Sequence, residues 1–184
     1  MISTRYITAT SESIIQLADA TQLSKNFTVK ELANNQGDKS KPIYLLSPHS
    51  QRFNEVAQQF RTQYKNSIDP TSGYRQPEYN NKVGGDPNSQ HLRACAMDFV
   101  DKAKKDPYYV LSLYMGVLFQ SGEIGAINLY NEGNYRRYHI EALSDIYFGY
   151  NRNHIRVYTD IVEYQKIRDY YTPMGIMVDY HGKK

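Results

Sequence analysis

The apolar positions along the chain change period several times, and each period predicts an element. Phe53, Val56, Ala57, Phe60 and Tyr64 recur at three- and four-residue intervals, the stripe of an amphipathic helix that faces a core. Ser47 followed by Pro48 reads as an N-cap with proline at the first helical position, so this helix covers residues 48–65. Asp106-Pro107 repeats the signal and opens a second helix that Gly122 ends. Val110, Leu111, Leu113, Met115, Val117 and Leu118 make that helix apolar almost all round, which predicts deep packing. Thr28 and Glu31 form a capping pair for a short helix over residues 29–34, and residues 77–82 fit another. Residues 13–18 read as the start of a short helix or as an arm, and residues 159–171 have moderate helical periodicity. Strand-like runs fall at 68–74, 94–100 and 175–178, and residues 125–130 and 137–142 read as a strand pair around the loop 131–135. The stretch 35–42 is polar and rich in turn formers.

The run 94–100 carries the first chemistry. Strand alternation puts Ala94, Ala96 and Asp98 on one face and Cys95, Met97 and Phe99 on the other. A carboxylate inside so apolar a strand is costly unless it is paired or coordinates a metal. His91 lies seven residues earlier, after the turn formers Gly84, Gly85, Asp86, Pro87, Asn88 and Ser89. A second imidazole comes in Tyr138-His139-Ile140-Glu141, where period two places His139 and Glu141 on one face. His91, Asp98 and His139 offer nitrogen and oxygen ligands with a fourth position open to water, the pattern of a catalytic zinc site. Zn2+ there would act as a Lewis acid and lower the pKa of its bound water. Cys95 faces away and reads as a buried core thiol.

Composition narrows the field. A chain of 184 residues with 40% hydrophobic content suits one globular domain. A single cysteine excludes a disulfide framework and a cysteine-rich zinc module. The net charge of +3 is mild, no Lys/Arg block or nucleic-acid motif occurs, and a nucleic-acid partner is not expected. No apolar run reaches membrane-spanning length, and residues 1–21 lack the apolar core of a signal peptide. The expectation is synthesis in a cytoplasm without export by a signal peptide. Tyrosine is abundant, 18 residues against no tryptophan, and suits half-wet surfaces and interfaces.

Several ordered motifs together resemble the zinc D-Ala-D-Ala carboxypeptidase family, in particular its short, single-domain, phage endolysin-like branch. They are Phe27-Thr28 with Glu31-Leu32, then Ser72-Gly73-Tyr74-Arg75, Tyr79-Asn80, Val83-Gly84-Gly85, Ser89-Gln90-His91, Ala96 and Asp98, then Tyr130 and His139. The likeness covers residues 24–142 and leaves 1–23 and 143–184 as extensions, the latter packed on the domain or on a partner. It implies a Hedgehog/DD-peptidase-like α+β fold, in which a small antiparallel sheet carries the zinc site with helices packed on it. It also implies a zinc metallopeptidase that hydrolyses peptidoglycan stem peptides by a metal-activated water, as a D-Ala-D-Ala carboxypeptidase or an L-Ala-D-Glu endopeptidase. Work on a cell wall would follow lysis, holin release or carriage in a virion.

The resemblance also implies roles. Arg75 corresponds to the family's arginine that meets the substrate's carboxylate or the carbonyl under attack, and Ser89 and Gln90 would orient the first ligand or touch substrate. Many family members place a glutamate, the general base, three residues before the last histidine, where this chain has Arg136. Glu141 is the local substitute, with Glu132 as a second candidate. The family's glycine after the first histidine is Ala94 here, which is strained if the position needs positive φ. Arg136, Ala94 and the Tyr-rich C-terminal extension favour an alternative: a catalytically weak or inactive peptidase-like domain serving as a virion structural or cell-wall-binding protein, with self-association through that extension.

Overall fold

The computed structural model describes residues 13–16, 21–33, 43–132 and 135–182, with the backbone alone at 13–16 and 132. In chain order the elements are β1 (Ser13–Gln16), β2 (Gln22–Ser24), β3 (Phe27–Thr28), α1 (Val29–Leu32), β4 (Ile43–Leu46), α2 (Pro48–Tyr64), β5 (Pro70–Ser72), α3 (Pro77–Lys82), β6 (Ala96–Val100), α4 (Pro107–Ser121), β7 (Gly125–Glu132), β8 (Tyr135–Ala142), α5 (Ser144–Phe148), β9 (His154–Tyr158), α6 (Ile161–Tyr171) and β10 (Met177–Tyr180). The fold is α+β, as expected. Among the described residues, no helix is long and apolar enough to cross a membrane.

The helix starts follow their capping chemistry. Glu31 N donates to Thr28 Oγ1 and Thr28 N donates back to Glu31 Oε2, so both ends of the capping box are closed at α1. At α2 the box is closed by a serine, with Ser50 N on Ser47 Oγ and Ser47 N on Ser50 Oγ. Asp106 accepts from Tyr109 N at the start of α4, and Gly122 ends that helix in the left-handed region.

The main sheet has six strands in the order β10-β9-β7-β8-β6-β5. Its β5-β6-β8-β7 part is the small antiparallel sheet expected, and two further strands extend it. β5, β6, β8 and β7 pair antiparallel, whereas β7–β9 and β9–β10 pair parallel. Residues 143–184 thus add two strands to the sheet that carries Asp98 and His139. Residues 13–16, expected to begin a helix or an arm, form strand β1 antiparallel to β4. The alternative pairing satisfies backbone donors that a local reading assigns to a helix. The loop 35–42 and the hairpin tip 133–134 lie outside the described residues.

Register gives the sheet two faces. Met97, Phe99, Tyr138, Ile140, Ile127, Leu129, Ile155 and Val157 form the buried one, together with Phe53, Phe60, Tyr64, Val110, Tyr114 and Leu118 of α2 and α4. Phe60 packs edge-on to Tyr114 at 5.4 Å and tilted to Phe99 at 5.8 Å. Tyr114 uses its hydroxyl as well, donating to the Glu141 carbonyl at 2.9 Å and so tying α4 to β8. Every second residue of the same strands points to the opposite face, which is polar.

Gly73 sits where two backbones meet. Tyr74 N donates to the Leu32 carbonyl at 2.6 Å, and a Cβ on Gly73 would lie 2.1 Å from that oxygen. Neither backbone can yield without breaking the contact between α1 and β5. Gly73→Ala is expected to cost about 2–4 kcal/mol of stability, read as a lowered urea midpoint with an unchanged slope.

Candidate metal centre

Period-two alternation and strand register together bring the polar side chains to one level of the sheet. Asp98 of β6 is directly opposite His139 of β8, and His139 is opposite Asn128 of β7. Asn128 is in turn level with Arg156 of β9. Glu141 follows His139 on the same face.

His91 reaches this face from a 3₁₀ turn, Gln90–Arg93, rather than from a strand. The turn is built by the polar residues before it. Asn88 N and Ser89 N donate to the Asp86 side chain and carbonyl, Asn80 Nδ2 donates to the same carbonyl, and Ser89 Oγ accepts from His91 N. Ala94 closes it at φ 54, so the position does require the left-handed region. Its methyl is buried in the core, an apolar contact that a glycine would forgo.

His91, Asp98 and His139 are all buried and present ligand atoms that lie within 4.8 Å of one another. His91 Nδ1 is 2.6 Å from the Gly73 carbonyl, which can only accept, so this nitrogen carries the proton and Nε2 faces Asp98 Oδ2 at 3.4 Å with its lone pair. His139 turns Nδ1 to Asp98 Oδ1 at 2.8 Å and Nε2 to Glu141 Oε2 at 3.1 Å. Each imidazole therefore has its outer nitrogen held by an acceptor and its inner nitrogen beside one carboxylate. This is the donor set and orientation that suits a divalent ion, with an outer hydrogen bond fixing each ring. The residues fit a metal; the cluster can hold one.

The electrostatics follow from this crowding. Burial depresses His91 below the usual histidine value. Burial also works against charge on His139, but hydrogen bonds to Asp98 and Glu141 outweigh it and hold the pKa up at about 9. Asp98 is buried too, yet His91 and His139 keep it well below the ordinary carboxylate range. Glu141 is drawn down to about 2 against its burial by His139 and Arg156.

The other expected site residues fall into place differently. Arg75 lines the cleft and is ion-paired, with a terminal nitrogen 2.8 Å from Asp98 Oδ2 and Nε on Ser72 Oγ at 2.8 Å. Ser89 caps the turn that bears His91. Gln90 is buried at the cleft wall, and among the described residues neither end of its amide has a hydrogen-bond partner. Glu141 Oε1 receives Ser144 Oγ at 3.1 Å and both terminal nitrogens of Arg156 at 3.2 Å. The Glu132 side chain lies outside the described residues. Arg136 stays out of the cleft, because three residues is an odd step on a regular strand and turns it to the face opposite His139; it donates toward the Lys105 carbonyl at 3.4 Å.

Asn128 and Arg156 were not anticipated from the sequence. Alternation along residues 125–130 carries a signal for Asn128. For Arg156 the signal is the His-Ile-Arg-Val-Tyr alternation of residues 154–158, a strand pattern with no turn residues inside it.

The polar face opens into a cleft of about 1140 Å³, roomier than a single small ligand needs. Tyr130 and Tyr158 stack at 4.3 Å along its wall, with the Arg137 guanidinium 4.5 Å over Tyr130.

A family model described as Peptidase M15 matches residues 25–125. No curated protein and no solved structure gives a significant match. The matched segment contains Arg75, His91 and Asp98 and stops before His139, so the third member of the cluster is assigned by geometry. With more than half of its length matched, the chain belongs to the peptidase M15 family.

Proposed function

We propose that this M15 family member is a zinc-dependent peptidase that hydrolyses the stem peptides of peptidoglycan, of the D-Ala-D-Ala carboxypeptidase or L-Ala-D-Glu endopeptidase type, and that it is related to the phage endolysin-like branch. The observation that carries the reading is the convergence of His91 Nε2 and Asp98, from a turn and the strand after it, with His139 Nδ1 from a strand 41 residues beyond Asp98, both outer ring nitrogens already engaged. Bound there, zinc would supply Lewis acidity toward a peptide carbonyl and an acidified water.

The protein's own residues then divide the remaining work. Arg75 is anchored at the cleft wall by its Nε on Ser72 and one terminal nitrogen on Asp98, which leaves its remaining donors for a carboxylate or a polarised carbonyl of substrate. Gln90 is buried at the cleft wall beside His91, and its backbone carbonyl accepts from Cys95 N at 3.0 Å, so it supports the turn that presents the first ring. The size of the cleft and its tyrosine wall suit an extended peptide with a glycan attached.

Glu141 orients His139 in this proposal rather than serving as the base expected from the sequence. Its Oε2 meets the ring nitrogen turned away from Asp98, so the imidazole stands between that oxygen and the ligand cluster, and its Oε1 is occupied by Ser144 and Arg156. The two roles separate in Glu141→Gln. Orientation predicts weaker zinc binding, by about 10- to 100-fold, with turnover largely restored at saturating zinc. A base predicts intact zinc affinity and abolished turnover at any zinc concentration.

The purified protein is expected to bind one zinc ion per chain, measured by atomic emission after dialysis, and His91→Ala to bind none. Incubated with muropeptides, the zinc-loaded chain should release new amino termini detectable by mass spectrometry. Zinc binding without cleavage would leave the wall-binding or virion role instead.

A further inference from the structure

We infer that Arg156, carried by a strand outside the matched family segment, is a positioning residue of the metal centre: it holds the Glu141 carboxylate that in turn fixes the His139 ring. The inference rests on the metal reading above and extends it to residues 143–184.

The geometry that supports it begins with register. Arg156 on β9 is separated from β8 by β7, where Asn128 is level with it and Ala126 is level with Glu141. The Ala126 side chain is a single methyl, so the long Arg156 side chain can cross β7 diagonally and reach Glu141. Both of its terminal nitrogens lie 3.2 Å from Glu141 Oε1, and one is 3.3 Å from Asn128 Oδ1. Asn128 is itself oriented by donating from Nδ2 to the Tyr130 hydroxyl at 3.2 Å, which leaves its oxygen toward the guanidinium. Arg156 thus spends its terminal nitrogens on protein acceptors, which distinguishes it from a fork held open for substrate.

The contacts divide the Glu141 carboxylate cleanly. Oε1 takes Arg156 and the Ser144 hydroxyl, and Oε2 takes His139 Nε2. Arg156 is the permanently charged partner among these. Glu141 is buried, and a buried carboxylate that loses its cation is strongly destabilised in its ionised form. Without Arg156 the carboxylate would turn toward water, and the outer hydrogen bond of the His139 ring would go with it. Groups that anchor a ligating histidine from outside typically change metal affinity without contacting the metal.

The test measures zinc affinity by competition with a chromophoric chelator, beside urea unfolding of the same metal-free proteins. Wild type, Arg156→Met, Arg156→Lys, Glu141→Gln and the Arg156→Met/Glu141→Gln pair are compared. Methionine keeps much of the arginine stem's packing while removing the charge. Arg156→Met should weaken zinc binding by about 10- to 100-fold, and Arg156→Lys by less. The double variant should bind within about twofold of Glu141→Gln alone, because both substitutions break one chain of contacts. Wild-type zinc affinity in Arg156→Met overturns the inference, as does a double variant whose losses multiply. Should Arg156→Met fail to fold, Arg156→Lys decides: weakened zinc binding with an unaltered urea midpoint supports the inference, and wild-type affinity overturns it. A wild-type chain that binds no zinc overturns the metal reading itself, a result distinct from a zinc-binding wild type with an indifferent Arg156.

Discussion

One buried carboxylate organises the polar half of this protein. Asp98 sits in a strand whose neighbours Met97 and Phe99 are wholly in the core, where an unpaired charge would be prohibitive. It is tolerable because Arg75 from the β5–α3 connection, His91 from the 3₁₀ turn and His139 from β8 surround it. Those elements are placed by contacts that have nothing to do with chemistry: the close approach of Gly73 to Leu32, the capped turn at His91, and the pairing of β6 with β8. The cluster is thus a consequence of the packing and, equally, a constraint on it.

The sheet separates stability from function by parity. Odd and even positions of the same strands serve opposite faces, so a helix-covered aromatic core lies directly behind the ligand cluster. Tyr114 links the two, filling the core and bonding the backbone of Glu141. The same parity keeps Arg136 from obstructing the cleft: on an unbroken strand that position belongs to the core side. The parallel strands β9 and β10 then widen the polar face and bring Arg156 and Tyr158 to it.

Much of this was legible from local pattern. The Thr28–Glu31 capping box, the proline-opened helices and the alternation at Asp98 and His139 are short-range signals, and the structure follows them closely. The pairing of residues 13–16 with β4 and the parallel addition of β9 depend on partners some 30 residues away, which no local period encodes. The same limit applied at the site. Alternation put Glu141 on the face of His139, but not on which side of the ring; that depends on Arg156 and Ser144, whose distance from Glu141 is a property of register. Arg136 is the converse, since its odd spacing from His139 was visible in the sequence and already turned it away.

The most direct test of the account is anomalous diffraction at the zinc edge from crystals of the zinc-loaded protein. One peak within bonding distance of His91 Nε2, Asp98 and His139 Nδ1, with Glu141 still on His139 Nε2, is the predicted result. A peak that leaves out His139, or no peak between these side chains, would contradict it.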